Sequence, residues 1–454
     1  MLLKGLFQKI GITRSVGFNL ASQIWSLLTG PLTLIVIAGY MTKQQQGYYY
    51  TFSSVLALQV FAELGLSTVL VQSASHEWAF LSLDSSRRIA GREINFMRLS
   101  GLLRVGIRWY SIAGLVAALG IGLGGGAFFS SGSTFDIAWQ GPWAALSCLT
   151  AFALLSMPFT SLIEGCNQVE AIYGYRFVAG LLSTSSLLIS IYLKVGLYSL
   201  AISSAVRFLV TIAFLLIWYR QFIFQLIVEG KPGKWIGWKT EIWPFQWRIA
   251  VSWLSGYFIF SIFNPVMFKY HGAVIAGQMG MSLTLANAVN SISYAWAQSR
   301  APELGILIAK KNYQTLDNRF SKILLLQVII AVLACFALIV GVEVVSKLGL
   351  DLRSRILPLQ LLGMLMIVSV TNSVTNGMAL YLRAHKKEPM MLISLISGVL
   401  IGGSVWFFGA KFGPQGAVYS YFVLALVWGL PSTIVVFTRF KRRWHNDAIN
   451  GAEL

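Results

Sequence analysis

The segment ILLLQVIIAVLACFALIVGV, residues 323–342, decides the fold class of this chain. It contains no charged side chain, and Lys322 and Glu343 stand directly at its two ends. As a helix that rises ~1.5 Å per residue, it is long enough to cross a hydrocarbon core of ~30 Å. The segment therefore predicts a transmembrane helix.

Further apolar runs of similar length fill most of the chain. The composition agrees, since 56% of the residues are hydrophobic, 11% are charged, and the mean hydropathy is +0.69. The runs are continuous, unlike the alternating ~10-residue strands of a membrane barrel, and backbone amides inside lipid need the internal partners that a helix supplies. The predicted spans, about twelve, are residues 15–40, 48–73, 105–129, 139–163, 177–193, 197–219, 249–268, 273–299, 323–342, 357–382, 390–410 and 416–438.

The basic residues lie mainly in alternate gaps between these spans. With a cytoplasmic N-terminus, roughly 27 lysines and arginines fall in inner segments and about seven in outer segments. This asymmetry predicts that both termini are cytoplasmic. The net charge of +19 is therefore largely a topology signal, which favours anionic lipid head groups or an anionic substrate and does not indicate a nucleic-acid partner.

One cytoplasmic segment differs from a simple loop. Residues 87–108 mix six arginines and apolar side chains in a short stretch. Such a mixture predicts an amphipathic helix lying on the inner face of the membrane.

The chain also carries signs of an internal duplication. Lys194-Val195-Gly196 before the sixth span resembles Lys411-Phe412-Gly413 before the twelfth, and Pro31 has a counterpart in Pro265. An even number of helices per repeat gives parallel halves with a substrate path between them. The sequence thus predicts an all-α polytopic membrane protein with two six-helix lobes around a central cavity. Its parts are residues 1–220 as the N-terminal lobe, 221–248 as a cytoplasmic linker, and 249–454 as the C-terminal lobe with a basic cytoplasmic tail.

A charged residue inside a span is costly unless it is paired or hydrated, so it indicates a functional site. Arg207 stands in the middle of the sixth span, with Ser199, Ser203 and Thr211 at steps of four residues. This spacing places the four side chains on one helical face. Arg207 is therefore the first candidate for contact with a negatively charged substrate. The alternative is a structural ion pair or a tether to the backbone.

The second span carries one deep carboxylate, Glu63, on a stripe with Gln59 and Ser67. A carboxylate at this depth is a candidate ion-coupling or gating residue. The alternative is that Glu63 serves as the counter-ion of an arginine, and the sequence leaves both open.

Other polar residues are candidates for a hydrated path, although small and polar residues also serve simply to pack helices together. The first span has a polar stripe of Asn19, Ser22, Gln23 and Ser26. Asn287 in the eighth span and Asn376 in the tenth are candidate substrate contacts. Arg14 and Arg248, at the cytoplasmic ends of spans, either anchor the topology or draw an anion inward.

Catalytic and metal-binding patterns are missing from the sequence. We find no nucleotide-type phosphate loop and no nucleophile–histidine arrangement. The three cysteines and four histidines are scattered and lack metal-ligand spacing. The sequence therefore predicts no catalytic residue, no metal and no cofactor, and a transporter rather than an enzyme.

Several short segments carry a family resemblance over residues 15–438. They are Gly47-Tyr48-Tyr49-Tyr50, Ala62-Glu63-Leu64-Gly65-Leu66-Ser67-Thr68, Glu164-Gly165-Cys166-Asn167-Gln168, Phe245-Gln246-Trp247-Arg248-Ile249-Ala250-Val251-Ser252-Trp253 and Arg300-Ala301-Pro302-Glu303. In this order they resemble bacterial polysaccharide flippases of the O-antigen type. These flippases belong to the multidrug/oligosaccharidyl-lipid/polysaccharide exporter superfamily. In the family the acidic position of the second span is more often Asp, so Glu63 keeps the charge on a longer side chain.

The resemblance implies a bacterial inner-membrane protein with a V-shaped central cavity. It implies a polyprenyl-diphosphate-linked oligosaccharide as substrate, moved from the cytoplasmic to the periplasmic leaflet by alternating access. It also implies membrane lipids, a polysaccharide polymerase and a chain-length regulator as partners in lipopolysaccharide synthesis. The alternatives are a multidrug antiporter of the same superfamily, or a membrane glycosyltransferase or polymerase that acts on the same lipid-linked sugars.

Overall fold

The computed structural model describes residues 14–84, 87–132, 137–230, 236–349, 351–385 and 389–450. Side chains are described throughout these ranges except at residues 14–16, 20, 132, 302, 309 and 445–450. Nearly all of the described chain is helical, and one short hairpin supplies its two strands.

Helices follow one another along both halves of the chain. The helices of the first half are α1 (Arg14–Tyr40), α2 (Lys43–Leu56), α3 (Val60–Glu63), α4 (Leu66–Trp78), α5 (Glu93–Val116), α6 (Gly122–Gly132), α7 (Gln140–Gly165), α8 (Val169–Tyr192), α9 (Tyr198–Trp218) and α10 (Arg220–Phe224). Those of the second half are α11 (Trp243–Phe260), α12 (Phe263–Ser299), α13 (Ala301–Ala309), α14 (Tyr313–Lys347), α15 (Leu359–Ala384), α16 (Met391–Leu424) and α17 (Leu430–Asn450). The strands are β1 (Leu81–Leu83) and β2 (Ile89–Gly91). Short 3₁₀ or π turns cover Ala57–Gln59, Ala117–Ile121, Gln225–Glu229, Trp238–Ile242, Arg353–Arg355 and Ala425–Gly429.

Nine of the described helices are long and apolar enough to cross a membrane, and a bent pair over residues 43–78 makes a tenth. The two longest, Trp238–Ser299 with 62 residues and Met391–Trp444 with 54, are long enough to cross twice. At ~1.5 Å per residue these would be roughly 90 and 80 Å long. Each contains a break at a glycine with positive φ, 85° at Gly272 and 63° at Gly413. Counting both sides of each break gives twelve spans, which confirms the predicted all-α, multi-pass fold.

The chain divides into two compact units. The first contains the residues up to Val36 together with Val55–Leu254, and the second contains Ile37–Ser54 and the residues from Ser255 onward. The predicted boundaries differ from this division for Ile37–Ser54 and for residues 221–254. The arrangement of two six-helix lobes around a central cavity stays a prediction.

Residues 37–54 join the second unit through a close helix contact. Gly47 of α2 lies so near α12 that a Cβ atom there would come within 1.8 Å of the Ala273 carbonyl oxygen. The neighbouring Gln46 side chain donates from Nε2 to the carbonyl oxygens of Gly277 and Arg355, each at 2.9 Å. Small residues allow backbones to approach in this way inside a membrane. These contacts explain why the segment belongs to the second unit although the sequence predicted it in the N-terminal lobe.

We expect Gly47→Ala to destabilise the second unit. The added methyl group would overlap backbone atoms of α12, and overpacking of this kind costs about 1–3 kcal/mol. Gly363→Ala in α15 is the matched control, because nothing lies within 4 Å of a Cβ atom at that position. Thermal unfolding in detergent should show a lower Tm for Gly47→Ala alone. Equal Tm values for the two variants would contradict the contact.

A β-hairpin takes up the first residues of the segment 87–108, which we predicted as an amphipathic helix, and residues 93–108 are helical as predicted. The helix α5 begins only at Glu93 and continues into a membrane span. The turn before it is held by Asp84, whose Oδ1 accepts a hydrogen bond from the Arg88 amide at 2.8 Å. Arg87 has a left-handed φ of 59°, which reverses the chain direction. The turn shortens the predicted helix at its start, and its place at the inner face of the membrane stays a prediction.

Residues 221–248, predicted as a linker, pack within the first unit. The buried Ser100 hydroxyl donates to the carbonyl oxygen of Leu226 at 2.7 Å. Arg98, on the same helix as Ser100, forms an ion pair with Glu241 at 2.5 Å. The segment is therefore held by α5 at two places and is part of the unit's packing.

Candidate functional site

A polar cavity lies within the first unit, where α1, α8 and α9 meet. Its volume is about 320 Å³, and we call it the α1–α8–α9 cavity. The lining residues are Asn19, Ser22, Trp25, Ser26, Tyr173, Arg176, Phe177, Gly180, Thr184 and Arg207. None of these residues is acidic.

The α1 wall of the cavity is the polar stripe of the first span. Asn19, Ser22 and Ser26 follow one another at steps of three and four, which places them on one face of α1. The Ser22 hydroxyl is used within the helix, because it donates to the Phe18 carbonyl oxygen at 2.9 Å. The side chains of Asn19 and Ser26 are exposed and line the cavity, so both can contact a bound ligand.

Arg207 lies on the α9 wall, at the tenth residue of a 21-residue helix. Its Nη2 donates to the Ser183 hydroxyl on α8 at 3.3 Å, and the Ser203 hydroxyl donates to the Ser183 carbonyl at 2.8 Å. The side chain is exposed, and no carboxylate among the described residues lies within ion-pair distance of it. The sequence left a structural ion pair or a tether to the backbone as alternatives for Arg207. The described contacts of its side chain include a hydrogen bond to a hydroxyl group and no ion pair. Most of the guanidinium donors therefore stay available to a ligand.

Arg176 is a second cation on the same cavity, and the sequence analysis counted it only among the basic residues of the inner segments. Its Nη2 pairs with Glu164 Oε2 at 2.6 Å, and its guanidinium lies 5.9 Å from the ring centroid of Tyr173. The signal that could have identified it is the spacing of Arg176, Gly180 and Thr184 at steps of four. This spacing continues the α8 face towards Ser183 and thus towards Arg207.

Glu63 stands at a break in the second membrane span. It ends the short helix α3, and the next two residues, Leu64 and Gly65, have left-handed φ values of 48° and 68°. The two arms of the span meet there at a bend of 46°. A Cβ atom at Gly65 would lie 2.4 Å from Cγ2 of Ile249, so only glycine fits this bend.

The partners of Glu63 are hydroxyl groups. Its Oε1 accepts hydrogen bonds from Ser67 at 2.5 Å and from Tyr110 at 3.2 Å, and the residue is 6% exposed. In the part of the chain that the structure describes, no lysine or arginine pairs with Glu63. The predicted stripe with Ser67 is present, and the alternative of an arginine counter-ion finds no support in the described contacts. Its coupling or gating role stays a prediction.

The two candidate asparagines lie in the second unit. Asn287 is exposed and lines a narrow cleft with Asn372 and Tyr421 whose volume is about 10 Å³, room for one water molecule. Asn376 donates from Nδ2 to Asn290 Oδ1 at 3.2 Å. The structure therefore does not bring these two side chains into one ligand-sized cavity, and substrate contact stays a prediction for both.

The two remaining arginine candidates lie apart from the lining of the α1–α8–α9 cavity. Arg248 is exposed on α11, and its guanidinium lies 5.6 Å from the ring centroid of Trp247. Arg14 begins α1, and its side chain lies outside the described residues. These positions do not test whether either arginine anchors the topology or draws an anion inward, so both roles stay predictions.

No protein-family model and no curated protein sequence matches the chain. Solved structures do match it over nearly its whole length. The lipid II flippase MurJ, in an inward closed conformation, matches with a TM-score of 0.61 at 12% identity, over 94% of this chain and 90% of that chain. An inward-facing multidrug resistance MATE family transporter matches with a TM-score of 0.56 at 14% identity, over 92% and 99% of the two chains. A MOP superfamily transporter from Pyrococcus furiosus matches with a TM-score of 0.50 at 13% identity, over 96% and 93%.

These matches define the class of protein by its fold. The chain is a multi-pass membrane protein with the fold of MOP superfamily transporters, which is the superfamily that the sequence segments resemble. Identities of 12–14% establish the fold alone and leave the transported molecule open.

Proposed function

We propose that the protein is an inner-membrane flippase for polyprenyl-diphosphate-linked oligosaccharide repeat units. It would move them from the cytoplasmic to the periplasmic leaflet by alternating access. The observation that carries this proposal is Arg207, a mid-span cation that borders a polar cavity and has no carboxylate partner among the described residues. A fixed cation at this depth favours an anionic cargo over a cationic one.

The spacing of the cations suits an elongated anionic group. Seven residues separate Ser183, which binds Arg207, from Arg176 on the same helix, or roughly 10 Å along its axis. Guanidinium groups match phosphate oxygens through paired hydrogen bonds. Asn19 and Ser26 on the facing helix offer amide and hydroxyl partners for sugars, and the isoprenoid chain can remain in lipid.

The alternatives require different chemistry. A multidrug antiporter for cationic drugs would place carboxylates in the cavity, whereas this cavity is lined by two arginines and by no acidic residue. A membrane glycosyltransferase or polymerase would need a catalytic carboxylate at the sugar, and none of the described lining residues is acidic. We therefore propose a transporter rather than an enzyme, with the polymerase and chain-length regulator as partner candidates.

Reconstitution tests the proposal directly. The purified chain is placed in liposomes with a fluorescent polyprenyl-diphosphate disaccharide, and a membrane-impermeant quencher reports which leaflet holds the sugar. We expect movement between leaflets in these liposomes and not in protein-free ones. Parallel liposomes loaded with a cationic dye should show no export. Dye export without lipid movement would favour the antiporter, and conversion of the lipid-linked sugar would favour the enzyme.

The orientation is a separate prediction from the charge asymmetry. In a variant without the three native cysteines, a cysteine at Ser133 or Gln415 should react with an impermeant thiol reagent in intact cells. A cysteine at Gly233 should react only after lysis. Labelling of a cysteine at Gly233 in intact cells would contradict the predicted cytoplasmic location of both termini.

A further inference from the structure

A second cleft lies in the first unit, between α10 with the turn that follows it and the β-hairpin residue Arg88. Its volume is about 680 Å³, and it is distinct from the α1–α8–α9 cavity in all its residues. We call it the hairpin cleft, and its lining residues are Arg88, Arg220, Gln221, Phe224, Gln225 and Glu229.

The walls of the hairpin cleft are fixed by a buried glutamine. Gln225 is 8% exposed, and its side-chain amide forms two hydrogen bonds with the backbone of β2. Its Oε1 accepts from the Ile89 amide at 2.7 Å, and its Nε2 donates to the Ile89 carbonyl at 3.0 Å. The hydrogen bond from Ser100 to Leu226 anchors the same turn to α5. These hydrogen bonds hold the turn and the hairpin in place on both sides of the cleft.

Two arginines, Arg88 and Arg220, line the hairpin cleft. Arg220 is exposed and makes no hydrogen bond or ion pair with any other described residue. Arg88 pairs with Glu229 at 2.8 Å through Nη2, which leaves its other donors open. Arg87, the residue before Arg88, does not line the cleft, and it donates to the Trp218 carbonyl at 2.9 Å. The site has an excess of positive charge and forked donors suited to phosphate oxygens.

Apolar side chains are exposed beside these cations. Phe224 and Val228 are each 59% exposed and Trp218 is 50% exposed. Trp218 ends α9, Phe224 ends α10, and Val228 lies in the turn after α10. An aromatic and aliphatic edge next to arginines at the end of a membrane span is typical of the level of the lipid head groups. Exposure of these apolar side chains to water is unfavourable, and lipid acyl chains would cover them.

We propose that the hairpin cleft binds the phosphate head group of an anionic glycerophospholipid. Arg220 is the main phosphate contact, Arg88 bridges the phosphate and Glu229, and the acyl chains cover Phe224 and Val228. Gln225 is the positioning residue, because it holds the hairpin that carries Arg88. This site is independent of the transported substrate and of the proposed flippase activity.

Native mass spectrometry of the purified full chain in neutral detergent tests this site. Phosphatidylglycerol is the probe, phosphatidylcholine with the same acyl chains is the neutral comparison, and inorganic phosphate is the competitor without a lipid. We expect the chain to retain one phosphatidylglycerol more tightly than phosphatidylcholine. Arg220→Gln should weaken that retention about tenfold, the size expected for one charge-assisted hydrogen bond. Gln225→Leu should weaken it as well, although Arg220 remains.

Arg439→Gln is the matched control, because Arg439 is an exposed arginine of α17 on the same predicted side of the membrane. An equal loss in this variant would mean general attraction to surface charge and would overturn the site. Equal retention of the two lipids would overturn it too. Displacement of the lipid by millimolar inorganic phosphate would assign the cleft to a free anion instead. If Gln225→Leu fails to fold, the comparison of Arg220→Gln with Arg439→Gln still decides.

Discussion

Arg207→Ala is expected to slow movement of the lipid-linked substrate strongly while the protein still inserts and folds. Removal of a mid-span cation lowers the cost of insertion, so the amount of protein in the membrane should not fall. The lost guanidinium contact should reduce the flipping rate by roughly ten- to hundredfold, the range for hydrogen bonds to a charged group. The measurement is the leaflet assay in liposomes, together with accumulation of lipid-linked units on the cytoplasmic side of cells.

Two further variants separate charge from geometry in the Arg207 experiment. Arg207→Lys keeps the charge and loses the planar fork, so it should be partly active. Arg108→Ala removes an exposed arginine of the same unit that does not line the α1–α8–α9 cavity, so it should leave the rate unchanged. Full activity of Arg207→Ala, or an equal loss in Arg108→Ala, would remove Arg207 from the substrate site.

The spans were predictable because each depends only on a local run of apolar residues. Residues 323–342 lie inside α14, and the two glycine breaks at Gly272 and Gly413 fall between predicted spans. The grouping of Ile37–Ser54 with the second unit was not predictable, because it depends on the contact of Gly47 with a helix more than 200 residues away. Such contacts leave no periodic signal in a single sequence.

The candidate site was predictable in part for the same reason. Arg207 and its serine face follow from helical spacing on α9, and the contacts of Ser203 and Arg207 with Ser183 place that face against α8. Arg176 was missed because it directly precedes the predicted span 177–193, a position where topology alone accounts for an arginine, whereas α8 begins seven residues earlier at Val169. Its place beside Arg207 depends on how α8 and α9 pack, which the pattern of either helix cannot specify.

Glu63→Gln is expected to stop transport without loss of the fold. Oε1 of Glu63 accepts two hydrogen bonds, from Ser67 and Tyr110, and the amide oxygen of glutamine can accept the same two. The substitution therefore keeps the local contacts and removes only the charge. If Glu63 couples an ion gradient to movement of the substrate, the gradient-driven rate in liposomes should fall to that of protein-free liposomes, with an unchanged Tm.

Two neighbouring changes show whether the charge at Glu63 or its hydrogen bonds matter. Glu63→Asp keeps the charge on a shorter side chain and should retain part of the gradient-driven rate. Tyr110→Phe keeps the carboxylate and removes one hydrogen bond. It should lower the free energy of unfolding by on the order of 1 kcal/mol, and with it the Tm, while coupling stays intact. A lower Tm in Glu63→Gln with lost protein would indicate a structural carboxylate. Normal gradient-driven transport by Glu63→Gln would exclude a coupling role, because a buried amide cannot take up or release the ion.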